Sequence, residues 1–120
     1  MADHNDLGDK GEELARNYLI KNNYKIREKN WRFGKNEIDI IAENNDTLVI
    51  AEVKTRSSRF YGEPEVFVTK VKQRFLIKAA HAYIIQNNLN LDCRFDILAV
   101  VITPNKAEIH HIQKAFYPMR

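Results

Sequence analysis

An α/β (α+β) fold, one mixed β-sheet flanked by helices in the order αβββαββ, is what the apolar patterning of this chain predicts. Three observations predict it. Residues 8–22 and 69–87 repeat apolar side chains at helical spacing, three strand-like runs lie between them, and two more follow. Segments in that order bury their apolar faces by laying helices against one sheet. At 120 residues the chain can build one core and not two, so residues 1–120 are read as a single domain.

In the first helix Leu14, Ala15, Tyr18 and Leu19 share a face. Glu12 falls on the same inward side, whereas Glu13 points toward Arg16 and Asn17. Residues 1–7, acidic and polar, are expected to form a flexible tail and not a signal peptide. Asn22-Asn23 ends the helix, and Tyr24 to Glu28 begins a strand leading to Asn30-Trp31-Arg32-Phe33. Glu37–Ala42 and Thr47–Lys54 form the next two strands, joined by the turn formers Glu43-Asn44-Asn45-Asp46. Residues 55–68 are broken by Ser57-Ser58 and Gly62-Glu63-Pro64 and read as a mobile loop. Thr69 can cap the second helix, with Val71, Phe75, Ala79, Ala82 and Tyr83 inward and Asn87-Asn88 as its stop. Phe95–Ile102 is almost continuously apolar, as a central strand is. Pro104-Asn105 turns the chain into a last strand over Ile109–Ile112.

Hydrophobic residues make up 44% and charged residues 29%, the balance of a folded soluble protein. No apolar run approaches the roughly 18 residues of a membrane span, so no membrane partner is expected. The single cysteine, Cys93, excludes an internal disulfide and fits a reducing cytoplasm; its apolar neighbours make it a buried, inert thiol. Net charge is +3, but residues 54–78 alone carry seven basic side chains against two acidic ones. That concentration points to a polyanion.

Two charged clusters interrupt the second and third strands, and they carry the chemistry. Burying carboxylates among Ile and Val costs several kcal/mol per ion unless something compensates them. A divalent cation is one efficient compensator. Alternation puts Glu37, Asp39 and Ile41 on one face of their strand, opposite Ile38 and Ile40. On the next strand Ile50, Glu52 and Lys54 lie opposite Val49, Ala51 and Val53. If the strands pair, Asp39 and Glu52 converge, with Lys54 alongside and Glu12 approaching from the first helix. Such carboxylates make a hard-oxygen site suited to Mg²⁺ or Mn²⁺. Lys54 would orient an attacking water; serving as a base would need a strongly depressed pKa.

Asp39 followed after twelve residues by Glu52-Val53-Lys54 resembles the PD-(D/E)xK nuclease superfamily. More widely, Gly8-Asp9-Lys10-Gly11-Glu12-Glu13-Leu14-Ala15, Asn30-Trp31-Arg32, Glu37-Ile38-Asp39-Ile40-Ile41-Ala42 and Glu52-Val53-Lys54-Thr55-Arg56 resemble the YraN family of bacterial endonuclease-related proteins. Val68-Thr69-Lys70-Val71-Lys72-Gln73 and Arg94-Phe95-Asp96 extend the likeness, which spans residues 8–116. Ile38 stands where the superfamily name has Pro, and the glycine that often precedes Glu-Ile-Asp is displaced to Gly34. The resemblance implies a restriction-endonuclease-like fold similar to archaeal Holliday-junction resolvases. It implies Glu12, Asp39, Glu52 and Lys54 as the active-site set, with the three carboxylates as metal ligands and Gln73 an accessory. It implies DNA, branched forms included, as partner, with RNA kept open. Resolvase-like nucleases often dimerise, so a homodimer stays open too.

Arg56, Arg59, Lys70, Lys72, Arg74 and Lys78, interleaved with Phe60, Tyr61 and Phe67, would grip phosphates and stack on bases. Each feature also has a plainer reading. A Glu-x-Lys in a strand can be a same-face ion pair, and scattered basic residues a soluble surface. His110 and His111 face opposite ways and read as structural, as does an Asp96 paired with Arg94; His81 reads as a boundary residue, Trp31 and Phe116 as packing. Two other functions stand beside the nuclease: a non-catalytic nucleic-acid-binding module on the same architecture, and a protein-interaction subunit with internally compensated carboxylates.

Overall fold

The computed structural model describes residues 2–57 and 68–118, side-chain surroundings being described from residue 6. Helix α1 (Ala2–Lys21) leads into strands β1 (Lys25–Phe33), β2 (Asn36–Asn44) and β3 (Thr47–Arg56). Helix α2 (Lys70–Gln86), β4 (Asp92–Ile102) and β5 (Ala107–Phe116) follow. The expected order αβββαββ is the observed one. All five strands form one sheet in the order β1-β2-β3-β4-β5, with β3 and β4 parallel and every other pair antiparallel. α2 supplies the crossover that a parallel pair requires.

Strand alternation sorts the core into two clusters. Ile41, Leu48, Ile50, Phe95 and Ile97 pack with Leu76, Ala79, Ala80 and Tyr83 of α2. Ala42, Val49, Ala51, Val53, Leu98 and Val100 pack with Ala15 and Leu19 of α1. The helices therefore cover opposite faces of the sheet. Both end on a left-handed asparagine, Asn23 (φ 71°) and Asn88 (φ 52°). The following amides turn back, Tyr24 N–H donating to Leu19 O at 2.9 Å and Leu89 N–H to Ile84 O at 3.0 Å.

The structure differs from the expected pattern in three places. α1 begins at Ala2 and not at residue 8, and β1 runs on through Phe33. α2 buries Ala79 and Tyr83 as expected, but Val71, also expected inside, is 68% exposed, while Leu76 and Ala80 are buried. The first turn of α2 aims Lys72 inward at Glu52, which sends the preceding Val71 to solvent. Finally, Ile38 packs with the α2 cluster and Ile40 with the α1 cluster, although strict alternation would pair them. The slip falls at Asp39. Among the described residues no helix is long and apolar enough to cross a membrane.

Candidate metal centre

The site lies where β2 and β3 separate. Their ladder ends at Ile40↔Ala51, leaving the Val53 amide without a strand partner on β2. The Asp39 carboxylate takes that place, its Oδ2 accepting from Val53 N–H at 2.8 Å. One residue earlier Glu52 is held within the sheet beside Ile97 of β4 and is only 4% exposed. The two carboxyls are close enough for the charge of Glu52 to act on Asp39. Burial first, and then the charge of Glu52, pushes the Asp39 carboxyl up to about 7. Burial raises the Glu52 carboxyl as well, against the pull of Lys72 and Lys54. Two desolvated acids this close resist ionising together.

One feature of Glu52 bears directly on a cation. Its Oε2 is 3.3 Å from the Lys72 ammonium. Its Oε1 is buried and has no hydrogen-bond donor among the described residues. A buried carboxylate oxygen facing no donor is costly, and a hard cation supplies what is missing. Asp39 and Glu52 thus fit two ligands of an ion such as Mg²⁺, which binds through one or two carboxylates and keeps several waters.

Glu12 arrives differently. It sits on α1, on the other face of the sheet, and its Oε1 accepts from Asn30 Nδ2 at 3.0 Å. Asn30, itself left-handed at φ 49°, stands across from Asp39 between the rungs Lys29↔Ile40 and Trp31↔Ile38. Burial raises the Glu12 carboxyl, the Asn30 bond lowers it, and the charge of Asp39 raises it again, so the two acids sense each other. Even so, among the described residues no three His, Cys, Asp or Glu side chains are gathered as a ready metal cage. The assembled pair is Asp39 and Glu52, and Glu12 is held by Asn30 on the neighbouring strand. Close helix–sheet approach holds that arrangement. A Cβ at Gly11 would come within 2.7 Å of Thr55 Cγ2, so only glycine lets α1 lie against β3 here.

Two participants escaped the sequence reading. Asn30 lies just beyond the expected first strand, within Asn30-Trp31-Arg32, and the sequence assigns it no role in the site. Lys72 read as a surface phosphate contact, yet it is ion-paired with Glu52.

The sequence model of the uncharacterised protein family UPF0102 matches residues 11–100. The chain belongs to that family. It is 50% identical over 117 residues to a UPF0102 protein of Flavobacterium psychrophilum and 46% identical over 117 residues to one of Christiangramia forsetii. It is also 43% identical over 118 residues to one of Bacteroides thetaiotaomicron. In each case 98% of both chains is covered. The names of these UPF0102 relatives state the family and no activity.

The other expected site residues of this UPF0102 chain are spread along α2 and the end of β3. Lys70, Arg74 and Lys78 are exposed and line one open hollow with Gln73 and Ile77. Gln73 turns its amide back to Val68 O at 3.0 Å, fastening the start of α2 to the segment before it. Arg56 is exposed, with Nη1 donating to Thr55 O at 2.9 Å. Arg59, Phe60, Tyr61 and Phe67, and most of the expected loop, lie outside the described residues.

The residues given structural readings behave as such. Asp96, 1% exposed, takes Arg94 at 2.8 Å, His111 Nε2 at 2.7 Å and Lys114 N–H at 3.2 Å. Burial alone would raise its carboxyl, but those partners outweigh burial and hold it below its ordinary value. Burial, reinforced by the charge of Asp96, pushes the Cys93 thiol up to about 11, which keeps it inert.

Proposed function

We propose that this chain is a Mg²⁺- or Mn²⁺-dependent endonuclease that hydrolyses phosphodiester bonds in DNA, branched or structured DNA among its substrates. The observation that carries the reading is the buried, donor-less Oε1 of Glu52 beside a second desolvated carboxyl. A purely structural site would place a donor there.

Asp39 and Glu52 would hold the ion, and Glu12 would support the site from the opposite face through Asn30. Bound there, a divalent ion would supply Lewis acidity, easing deprotonation of the attacking water and offsetting charge on the scissile phosphate. In the hydrolysis the water oxygen forms the new bond to phosphorus, one P–O ester bond breaks, and the leaving oxygen takes a proton. Lys54, which the charge of Glu52 senses, would orient the water and offset negative charge as it develops.

Lys70, Arg74 and Lys78 would grip the phosphate backbone. Lys70, in the first turn of α2, sits at the positive end of the helix dipole and costs stability there. A polyanion across that surface would offset the cost. Binding of this kind is salt-sensitive and largely independent of sequence.

The second reading, a non-catalytic nucleic-acid-binding module, is favoured by one observation: only two carboxylates are assembled among the described residues. Isothermal titration of Mn²⁺ into the wild type and into Asp39→Asn/Glu52→Gln, both verified as folded, separates the two. Saturable binding lost in the variant, followed by cleavage of nicked, flapped or four-way-junction DNA, supports the enzyme. No Mn²⁺ binding with or without DNA leaves the module.

A further inference from the structure

We infer that Lys72 is the resident counter-ion of the metal-free site, and that an entering divalent cation displaces it from Glu52 and releases it to a DNA phosphate. The inference rests on the metal-site reading above and adds a regulation to it.

Position in the helix is the first argument. Thr69 is the N-cap of α2, its hydroxyl accepting from Lys72 N–H at 3.1 Å, so Lys72 occupies the third helical position. That position suits Glu or Gln, whose side chain returns a bond to the cap, and an acid there also complements the helix dipole. A lysine forfeits both. Its compensation lies outside the helix, in the Glu52 Oε2 at 3.3 Å. A residue that breaks the local rule and is repaid by a site carboxylate is placed by the site.

Charge is the second. Asp39 and Glu52 together carry up to two negative charges, and among the described residues Lys72 is ion-paired with Glu52; Lys54 attracts Glu52 as well. A divalent ion seeks the same carboxylate and brings twice the charge of the ammonium. The two cations therefore compete for Glu52, and binding of one expels the other.

Mobility is the third. The Glu52 side chain is 5% exposed but that of Lys72 is 32% exposed, so the carboxylate is fixed while the ammonium stands at the mouth of the site. Its flexible four-carbon stem can swing outward without unfolding α2. The Phe75 ring lies 5.5 Å from Nζ. Outward, it joins the exposed Lys70 and Arg74. Loading the ion would thus add one cation to the phosphate-binding surface. By linkage, DNA would tighten the ion in return.

Two measurements test this, both on the full chain. Isothermal titration of Mn²⁺ should show Lys72→Met binding the ion more tightly than wild type by about two- to fivefold, the worth of a partly exposed ion pair. On unmodified protein, lysine acylation read by peptide mass spectrometry should rise several-fold at Lys72 on adding Mg²⁺. It should fall again when a short DNA duplex is added, with Lys10 and Lys29 as unchanged references. Equal or weaker Mn²⁺ binding by folded Lys72→Met, or Lys72 labelling that ignores Mg²⁺ or the duplex, overturns the exchange while leaving the metal site standing. Absence of Mn²⁺ binding by the wild type overturns both.

Discussion

Asp39→Asn should stabilise the metal-free protein at pH 8 while abolishing divalent-ion binding. Burial, and then Glu52, moves the Asp39 carboxyl from 3.8 up to about 7. Between those values the folded protein keeps a proton that the unfolded chain has released. Stability therefore falls as pH rises from about 4 to about 7. At about 1.4 kcal/mol per pH unit, the ionised carboxyl costs up to about 4 kcal/mol above that window. This is a ceiling, since the two acids titrate as a pair and the cost is spread over both. Asparagine carries no charge and still offers an oxygen to the Val53 amide, which donates to Oδ2 at 2.8 Å in the wild type. A gain of about 1–3 kcal/mol at pH 8, shrinking toward pH 4, follows. Urea unfolding in EDTA at both pH values measures it, and Mn²⁺ titration measures the lost site. A variant less stable than wild type at both pH values would refute the reasoning and make Asp39 a structural residue.

Asp96→Ala strands Arg94 and His111 without their carboxylate and should cost about 3–5 kcal/mol in urea unfolding. Because the folded Asp96 carboxyl lies below its ordinary 3.8, the wild type's advantage should hold at neutral pH and fade as pH falls through and below that value. Gly11→Ala drives a Cβ into Thr55 and should cost about 1–3 kcal/mol, seen as a lower thermal midpoint. Thr69→Ala removes the cap of α2 and should cost about 1 kcal/mol in the same assay. Replacing Lys70, Arg74 and Lys78 by alanine should flatten the salt dependence of DNA binding by about 0.9 per lost phosphate contact, measured by fluorescence anisotropy.

The order of elements was legible because it rests on local rules. Asn22-Asn23 and Asn87-Asn88 announced helix ends, and Phe95–Ile102 announced a strand buried on both faces. The pairing of Asp96 with Arg94 was legible too, because two residues along a strand share a face. The convergence of Asp39 and Glu52 followed from the same alternation, but for an incomplete reason. What brings Asp39 to Glu52 is the end of the β2–β3 ladder, where a side chain replaces a backbone partner. A loss of register is a property of two strands together and leaves no periodic trace in either. The exposure of Val71 was hidden for a related reason. Val71 continues the apolar stripe of Phe75 and Ala79, which does pack on the core, and what turns it outward is the ion pair that its neighbour Lys72 makes with another element.

Three departures from ordinary folding rules meet at one place. Asn30 leaves the strand conformation opposite Asp39, Asp39 leaves the ladder, and Lys72 occupies a helix position that favours an acid. Each is a local cost, and a sequence optimised only to fold would avoid all three. Asn30 positions Glu12, Asp39 answers the Val53 amide, and Lys72 answers half of Glu52. Each repair serves one neighbour and leaves the common demand unmet, because Oε1 of Glu52 still faces no donor among the described residues. Repairs that stop one oxygen short are intelligible if the last partner comes from outside the chain. Asp39→Asn tests that argument most directly, since removing one acid should gain stability while losing the ion.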